Sequence, residues 1–299
     1  MNFMVNDMQT PVAPLWIDRL AIVGVGLIGG SLALALKRAG VVGEVVGIGR
    51  GLENLRTARS LGVVDRFTQE LEAGVADADV VFLATPVLTL PQVAARALPH
   101  MKSGAVLTDG GSVKASVVAA IEPLLPDGVQ FVPGHPVAGT EQSGAAAAFP
   151  TLYEGRRCIL TPTARTAAVA LDLVARMWQT AGSEVVLMDV EQHDRVLAAT
   201  SHLPHMVAYA LVNAVSACGG EGEDVLRFSA GGFRDFTRIA SSDPTMWRDI
   251  AISNRTALLE TLEIFEATLA ELKRDIAGQQ DEALYEFFQR SKQRRDSIR

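Results

Sequence analysis

Cysteine is almost missing from this 299-residue chain: Cys158 and Cys218 form no CxxC pair and sit at no metal-ligand spacing. A disulfide framework is excluded, a reducing cytoplasm with two inert thiols is the simplest account, and no metal is expected. An excess of basic residues is also lacking. Twenty-seven Lys and Arg stand against 34 Asp and Glu, a formal net charge of −7 with a pI near 5.3. That balance argues against a nucleic-acid partner, which selects a basic face. No apolar run is long enough to span a membrane. The first eighteen residues, MNFMVNDMQTPVAPLWID, lack the basic start and continuous apolar stretch of a signal peptide and read as a loose leader. Low complexity is confined to 144–148, and no internal repeat is found. What is present is a chain 48% hydrophobic and 20% charged, with a mean hydropathy of +0.22. That composition suits two globular domains and small-molecule partners.

From Arg19 short apolar runs alternate with helical patterns, the signature of a parallel sheet covered on both faces. Strands are expected over 20–25, 44–48, 79–84, 105–108, 129–132, 158–161 and 184–188, and a first helix over 28–39; together they read as one doubly wound sheet. After 188 the strand signals stop. Ser242-Asp243 before Pro244 reads as a helix start, and Trp247, Ile250, Leu258, Leu262, Ile264, Phe265 and Leu269 recur at helical spacing. So few elements remain to cover this stripe that a second copy of the chain is expected to cover part of it. The terminal SKQRRDSIR reads as solvated and frayed.

Gly24-Val25-Gly26-Leu27-Ile28-Gly29 follows the first strand and opens the first helix, the context a dinucleotide fingerprint requires. Gly24 permits the tight turn, Gly26 lets the backbone approach a pyrophosphate, Gly29 lets helix pack on strand, and the helix N-terminus favours the phosphate charge. The expected architecture is therefore α/β: a Rossmann-type dinucleotide-binding domain over 19–188, followed by an all-helical substrate and dimerisation domain over 189–299. The second strand ends in Gly49-Arg50, where strict NAD enzymes carry an acid. Arg50 is charged to hold a 2′-phosphate, so the cofactor expected is NAD(P), leaning towards NADP or dual use. A solvated surface Arg50, with Glu53 reaching the ribose, is the competing reading. Thr85 and Pro86 end another strand on the same carboxyl edge and are expected to line the cofactor. Asp109-Gly110-Gly111-Ser112-Val113-Lys114 ends the next, where Ser112 either caps a helix or meets substrate, roles that do not exclude each other.

Gly134-His135-Pro136 pins one of five histidines between a glycine and a proline, which excludes a regular helix interior or a central strand. His135 either packs in a tight turn or is aimed at a ligand. Ser201-His202-Leu203-Pro204-His205 puts two histidines on one helix face, with Pro204 near its first turn or kinking it. A helix N-terminus there would favour an anion and lower the histidine pKa values; metal binding would need ligands that are not found. Arg234 or Arg238, after Gly231-Gly232, could hold a carboxylate bidentately, and Arg238 between Phe236 and Ile239 is the harder to explain without one.

GVGLIGGS, DGGSVK, GHPVAGTEQSG, SHLPH and FRDFTRIASSDPTMWRDI, in this order, resemble the prephenate and arogenate dehydrogenase family of tyrosine biosynthesis, from Arg19 to the C-terminal helices. The resemblance implies NAD(P)-dependent oxidative decarboxylation of a 4-hydroxycyclohexadienyl dicarboxylate by a cytoplasmic homodimer. His135 would accept the 4-hydroxyl proton, and Ser112 would hydrogen-bond that hydroxyl and the histidine. Arg238 would bind a substrate carboxylate; Ser201, His202, His205 and Thr140 would shape the polar pocket, and Trp247 would close it from the partner subunit. No regulatory or fused chorismate mutase domain is expected. Gly49 departs from the NAD pattern. The alternatives are another two-domain hydroxyacid or imine oxidoreductase and a non-catalytic dinucleotide-sensing module.

Overall fold

The computed structural model describes residues 14–140, 142–219 and 224–298; most of the leader lies outside them. Nine strands are assigned among these residues: β1 Ile17–Val23, β2 Val42–Ile48, β3 Arg66–Thr68, β4 Val80–Leu83, β5 Val106–Asp109, β6 Gln130–Val132, β7 Gly134–Pro136, β8 Arg157–Leu160 and β9 Glu184–Leu187. The helices are α1 Leu27–Ala39, α2 Leu52–Ser60, α3 Leu71–Val75, α4 Leu90–Ala97, α5 Ala115–Ile121, α6 Ala168–Thr180, α7 Val190–Leu197, α8 Leu203–Ala217, α9 Gly231–Thr237, α10 Pro244–Ser253, α11 Arg255–Ala277 and α12 Asp281–Asp296.

The first six strands form one sheet in the order β3-β2-β1-β4-β5-β6, with every pairing parallel. Their apolar runs are continuous because helices cover both faces: Leu20, Ile22, Val45, Val80, Phe82 and Leu107 are all fully buried. Strand order reverses between β1 and β4, and the crevice beyond the carboxyl ends at such a reversal is where open α/β sheets bind ligands.

The single sheet expected from the sequence is two. The segments at 158–161 and 184–188 are strands, but they belong to a separate sheet, β7-β8-β9, in which β7 runs antiparallel to β8 and β8 parallel to β9. Pro133 and Pro136 cause the break. Neither carries an N–H, so the chain cannot extend the ladder past Val132 and starts afresh as a three-residue edge strand. His135 therefore sits in an edge strand opposite Ile159, not in a bare turn. α6 lies between the sheets, its Trp178 fully buried with edge-to-face contacts to Phe82 and Tyr153 at 5.5 and 5.1 Å.

The described residues form two compact units. One runs to Asp194 and takes in Ser241–Ser253; the other comprises Arg195–Ala240 and the chain from Asn254. α10 thus belongs with the first unit. It starts as the sequence indicates, with the Asp243 carboxylate accepting the Met246 N–H at 3.0 Å, and it buries Trp247 and Ile250. The second unit is helical, and it leaves Leu259, Ile264, Leu269, Ile276, Tyr285 and Phe288 of α11 and α12 more than half exposed or close to it in the single chain. Exposed apolar side chains in this number are the kind of surface that a partner covers.

Candidate active site

The glycine loop between β1 and α1 has the shape an anion requires. Gly24 holds φ +98°, and a Cβ there would lie 2.6 Å from the Ala84 carbonyl oxygen; one on Gly29 would lie 2.5 Å from the Gly24 oxygen. At Gly26, by contrast, a Cβ would meet nothing within 4 Å, so this face of the loop opens on space. Gly26 begins α1 with no side-chain cap and no acid in the first turn. The amides of the first turn, including those of Leu27 and Ile28, are therefore available to a pyrophosphate, and the residues present fit a dinucleotide. Thr85 stands beside Gly24 and accepts a hydrogen bond from the Thr89 hydroxyl at 3.0 Å; Pro86 is exposed next to it.

Asn54, on α2, was not foreseen. Its amide donates to the Val25 carbonyl at 2.7 Å and accepts the Ala145 N–H at 2.8 Å, tying the glycine loop to the segment downstream of the histidine motif. Arg50 is exposed and forms no ion pair among the described residues, while Glu53, the acid considered for a ribose, is paired with Arg56 at 2.7 Å.

His135 is buried, and its Nδ1 lies 2.9 Å from Nε2 of His193, whose Nδ1 is 2.8 Å from the Asp194 carboxylate. Asp194 also accepts the amides of Lys114 and Ala115 at 2.8 and 2.9 Å, so it, and not Ser112, caps α5. Burial alone pushes the Asp194 carboxyl up, but hydrogen bonds from His193, Lys114 and Ala115 reverse this and hold it below its ordinary range. His193 is lowered by burial, against the pull of Asp194. An ionised carboxylate only accepts, so His193 donates from Nδ1 and, when neutral, accepts at Nε2. His135 then donates from Nδ1, which leaves its Nε2 as the basic nitrogen. Ser112 lies half-buried in the turn before Lys114. Thr140 is exposed, its hydroxyl accepting the Gln142 amide at 3.2 Å.

In the helical unit SHLPH does not begin a helix. Ala198–His202 form a π turn that runs straight into α8, with Pro204 in its first turn. The Leu203 amide bonds back to Ala198, so no helix N-terminus is free to hold an anion as the sequence suggested. The two histidines also diverge. His202 is buried with Nδ1 3.1 Å from the amide of Asn254, whereas half-buried His205 donates from Nδ1 to the Ser201 carbonyl at 3.0 Å. Burial, and not a helix dipole, lowers the pKa of His205. Arg238 opens a short 3₁₀ turn and is exposed in the single chain, as are Arg234 and Phe236. Trp247 is buried within the first unit of its own chain, on the α10 helix that packs against Val87–Thr89. Among the described residues no group of three or more potential ligands could hold a metal, and no helix is long and apolar enough to cross a membrane.

A family model described as the nucleotide-binding domain of prephenate dehydrogenase matches residues 32–187, and one described as the dimerization domain of prephenate dehydrogenase matches 189–290. The chain is 41% identical to a cyclohexadienyl dehydrogenase of Zymomonas mobilis, covering 94% of this chain and 96% of that one. It is 37% identical to a prephenate dehydrogenase of Bacillus subtilis, over 94% of this chain and 76% of the relative. A crystal structure of prephenate dehydrogenase from Aquifex aeolicus, in complex with hydroxyphenyl propionate and NAD+, superposes with a TM-score of 0.90 at 40% identity, covering 95% and 99% of the two chains.

Proposed function

The chain belongs to the prephenate dehydrogenase family, and on that premise we propose that it oxidatively decarboxylates prephenate, arogenate or both, giving 4-hydroxyphenylpyruvate or tyrosine. It is an enzyme with a nicotinamide dinucleotide-binding domain. The observation that carries the reading is the buried chain His135–His193–Asp194, which leaves His135 Nε2 as the nitrogen suited to act as a base. The bound dinucleotide supplies the hydride acceptor. His135, through Nε2, takes the 4-hydroxyl proton as the C4–H bond gives up its hydride. Loss of carbon dioxide from C1 then sends its electron pair through the ring to the C4 oxygen, and His135 returns the proton to that phenolate. No net proton is consumed, and aromatisation makes the reaction irreversible. Fixed donors are what hold such a substrate in line.

In this reading Ser112 hydrogen-bonds the reacting hydroxyl, and Arg238 grips a carboxylate. Ser201, His202, His205 and Thr140 complete the polar surroundings and Trp247 the apolar ones. The exposed Arg50 beside Gly49 supports use of NADP as well as NAD. Residues 19–188 serve as the dinucleotide-binding domain and 189–299 as the substrate and dimerisation domain of a cytoplasmic homodimer, with the apolar face of α11 and α12 as its interface.

The test is absorbance of reduced nicotinamide with prephenate and arogenate, each with NAD and NADP. Turnover of at least one substrate with release of carbon dioxide is expected. Dinucleotide binding without turnover of either would favour a sensing module; turnover only of another hydroxyacid or imine would favour a different oxidoreductase.

A further inference from the structure

Lys114 is a lysine with no exposed surface. Its ammonium donates to the Asp109 carboxylate and, at 2.8 Å, to the Gly134 carbonyl. Asp109, equally buried at the end of β5, also accepts the amides of Gly111 at 2.8 Å and Gly134 at 3.2 Å. Two glycines make room for this. A Cβ on Gly111 would lie 2.8 Å from the Asp109 carboxylate and 3.5 Å from the Lys114 nitrogen, and one on Gly134 would lie 3.1 Å from the Asp109 carbonyl oxygen.

Three pieces of the site converge on this one residue. Its side chain grips the residue before His135; it closes the turn that carries Ser112; and its own amide donates to Asp194, the far end of the histidine chain. A fully buried ion pair is a poor way to gain stability, because desolvating both charges offsets most of their attraction and an apolar pair of equal volume serves as well. What the pair adds is a fixed geometry and a fixed charge. We propose that Lys114 is a positioning residue of the reaction: it locks the Ser112 turn to the His135 strand and sets its ammonium, paired with Asp109, within electrostatic reach of His193.

The charge acts in a definite direction. His193 faces His135 from α7, Asp194 stands beside it on the same helix, and Asp109 and Lys114 come from the end of β5 and the turn after it; Cys158 of β8, a buried thiol held protonated by burial, lies against the His135 backbone amide. The two carboxylates favour a charged histidine. Lys114 opposes them at His193, as burial does, and so favours the neutral ring that accepts from His135.

The inference rests on His135 being the base, and its test has a readout separate from turnover. Lys114→Gln keeps donors towards Asp109 and Gly134 but removes the charge. Following the histidine ring resonances by NMR across pH in the ligand-free protein, the midpoints of His135 and His193 should rise by about half a unit or more, since 0.5 unit is roughly a threefold change in proton affinity. The acidic limb of kcat/KM should move up with them, kcat should fall at least about tenfold, and the dinucleotide Kd should stay within about twofold. Unmoved midpoints in a folded variant overturn the proposal. If Lys114→Gln does not fold, Asp109→Asn with Lys114→Met removes both charges. Slow turnover with near-parental histidine midpoints is then expected, and parental turnover overturns the positioning role. Should the parent itself turn over without any acidic limb, the reading of His135 as base fails, and this inference with it; moved midpoints beside an unmoved limb would locate the failure in the base assignment alone.

Discussion

Nε2 of His193 stands 2.9 Å from Nδ1 of His135, and neither histidine is near the other in sequence: 58 residues separate them. The contact fixes which nitrogen of His135 is basic, because Asp194 holds the proton of His193 on Nδ1 and His193 in turn accepts from His135. His193→Phe removes that acceptor while Asp194 keeps its two amide bonds to the start of α5. Turnover should fall by roughly 10- to 1,000-fold, the span between a modest orienting effect and the loss of the correct tautomer. Dinucleotide affinity should hardly change. Steady-state kinetics beside a binding titration check this, and a turnover within twofold of the parent would show that His135 does not depend on His193.

Stability should fall towards acid in two stages. Burial holds His193 below its ordinary value of 6.5, so between that value and its folded one the unfolded chain binds more protons, and stability is lost as pH drops below about 6.5. Asp194 is held below its ordinary 3.8, so its contribution is present above that pH and is lost as pH falls through its lower folded value. Thermal melts at fixed protein concentration should therefore decline from about pH 6.5 downward, and His193→Phe should flatten the upper stage while leaving the lower one. Superimposable profiles for parent and variant between pH 6.5 and 5 would mean that His193 is not held neutral by its burial.

Cofactor preference turns on the end of β2. A Cβ on Gly49 would meet only the Leu55 side chain, at 3.5 Å or beyond, so an acid can be built there without displacing backbone. Gly49→Asp should repel a 2′-phosphate and favour a ribose hydroxyl, shifting the kcat/KM ratio towards NAD by about tenfold or more, the worth of some 1.4 kcal/mol. Comparing both cofactors in both proteins decides it. Strict NAD use by the parent would remove the role given to Arg50.

What could be read from the sequence was what is encoded locally. The glycine fingerprint lies in six contiguous residues between a strand and a helix, and the structure keeps that context, with Gly24 at positive φ. The Asp243 cap and Pro244 helix start were legible for the same reason. Non-local features were hidden. His193-Asp194 sits one turn into an amphipathic helix, where such residues ordinarily face solvent, and the Asp194 partners lie 79 and 80 residues away. β7 has no signature in the sequence, because three residues preceded by one proline and ended by another carry no alternation. The strands at 158–161 and 184–188 were visible as strands, but the choice of sheet was made by Pro133 and Pro136 upstream. His202 and His205 look like a pair on a regular helix, and the π turn before Pro204 gives them different surroundings.

The central claim is that His135 is the base of a dinucleotide-dependent oxidation, and His135→Asn tests it most directly. Asparagine keeps a side chain of similar polarity in the edge strand but cannot take up a proton near neutral pH. The measurement is kcat for reduction of the nicotinamide with the preferred cyclohexadienyl substrate, made beside the dinucleotide Kd and the melting temperature. The account predicts a fall in kcat of roughly two to four orders of magnitude, the usual scale for a general base, with dinucleotide affinity and melting temperature close to the parent's. A well-folded His135→Asn enzyme that binds the dinucleotide and turns over within tenfold of the parent would contradict it.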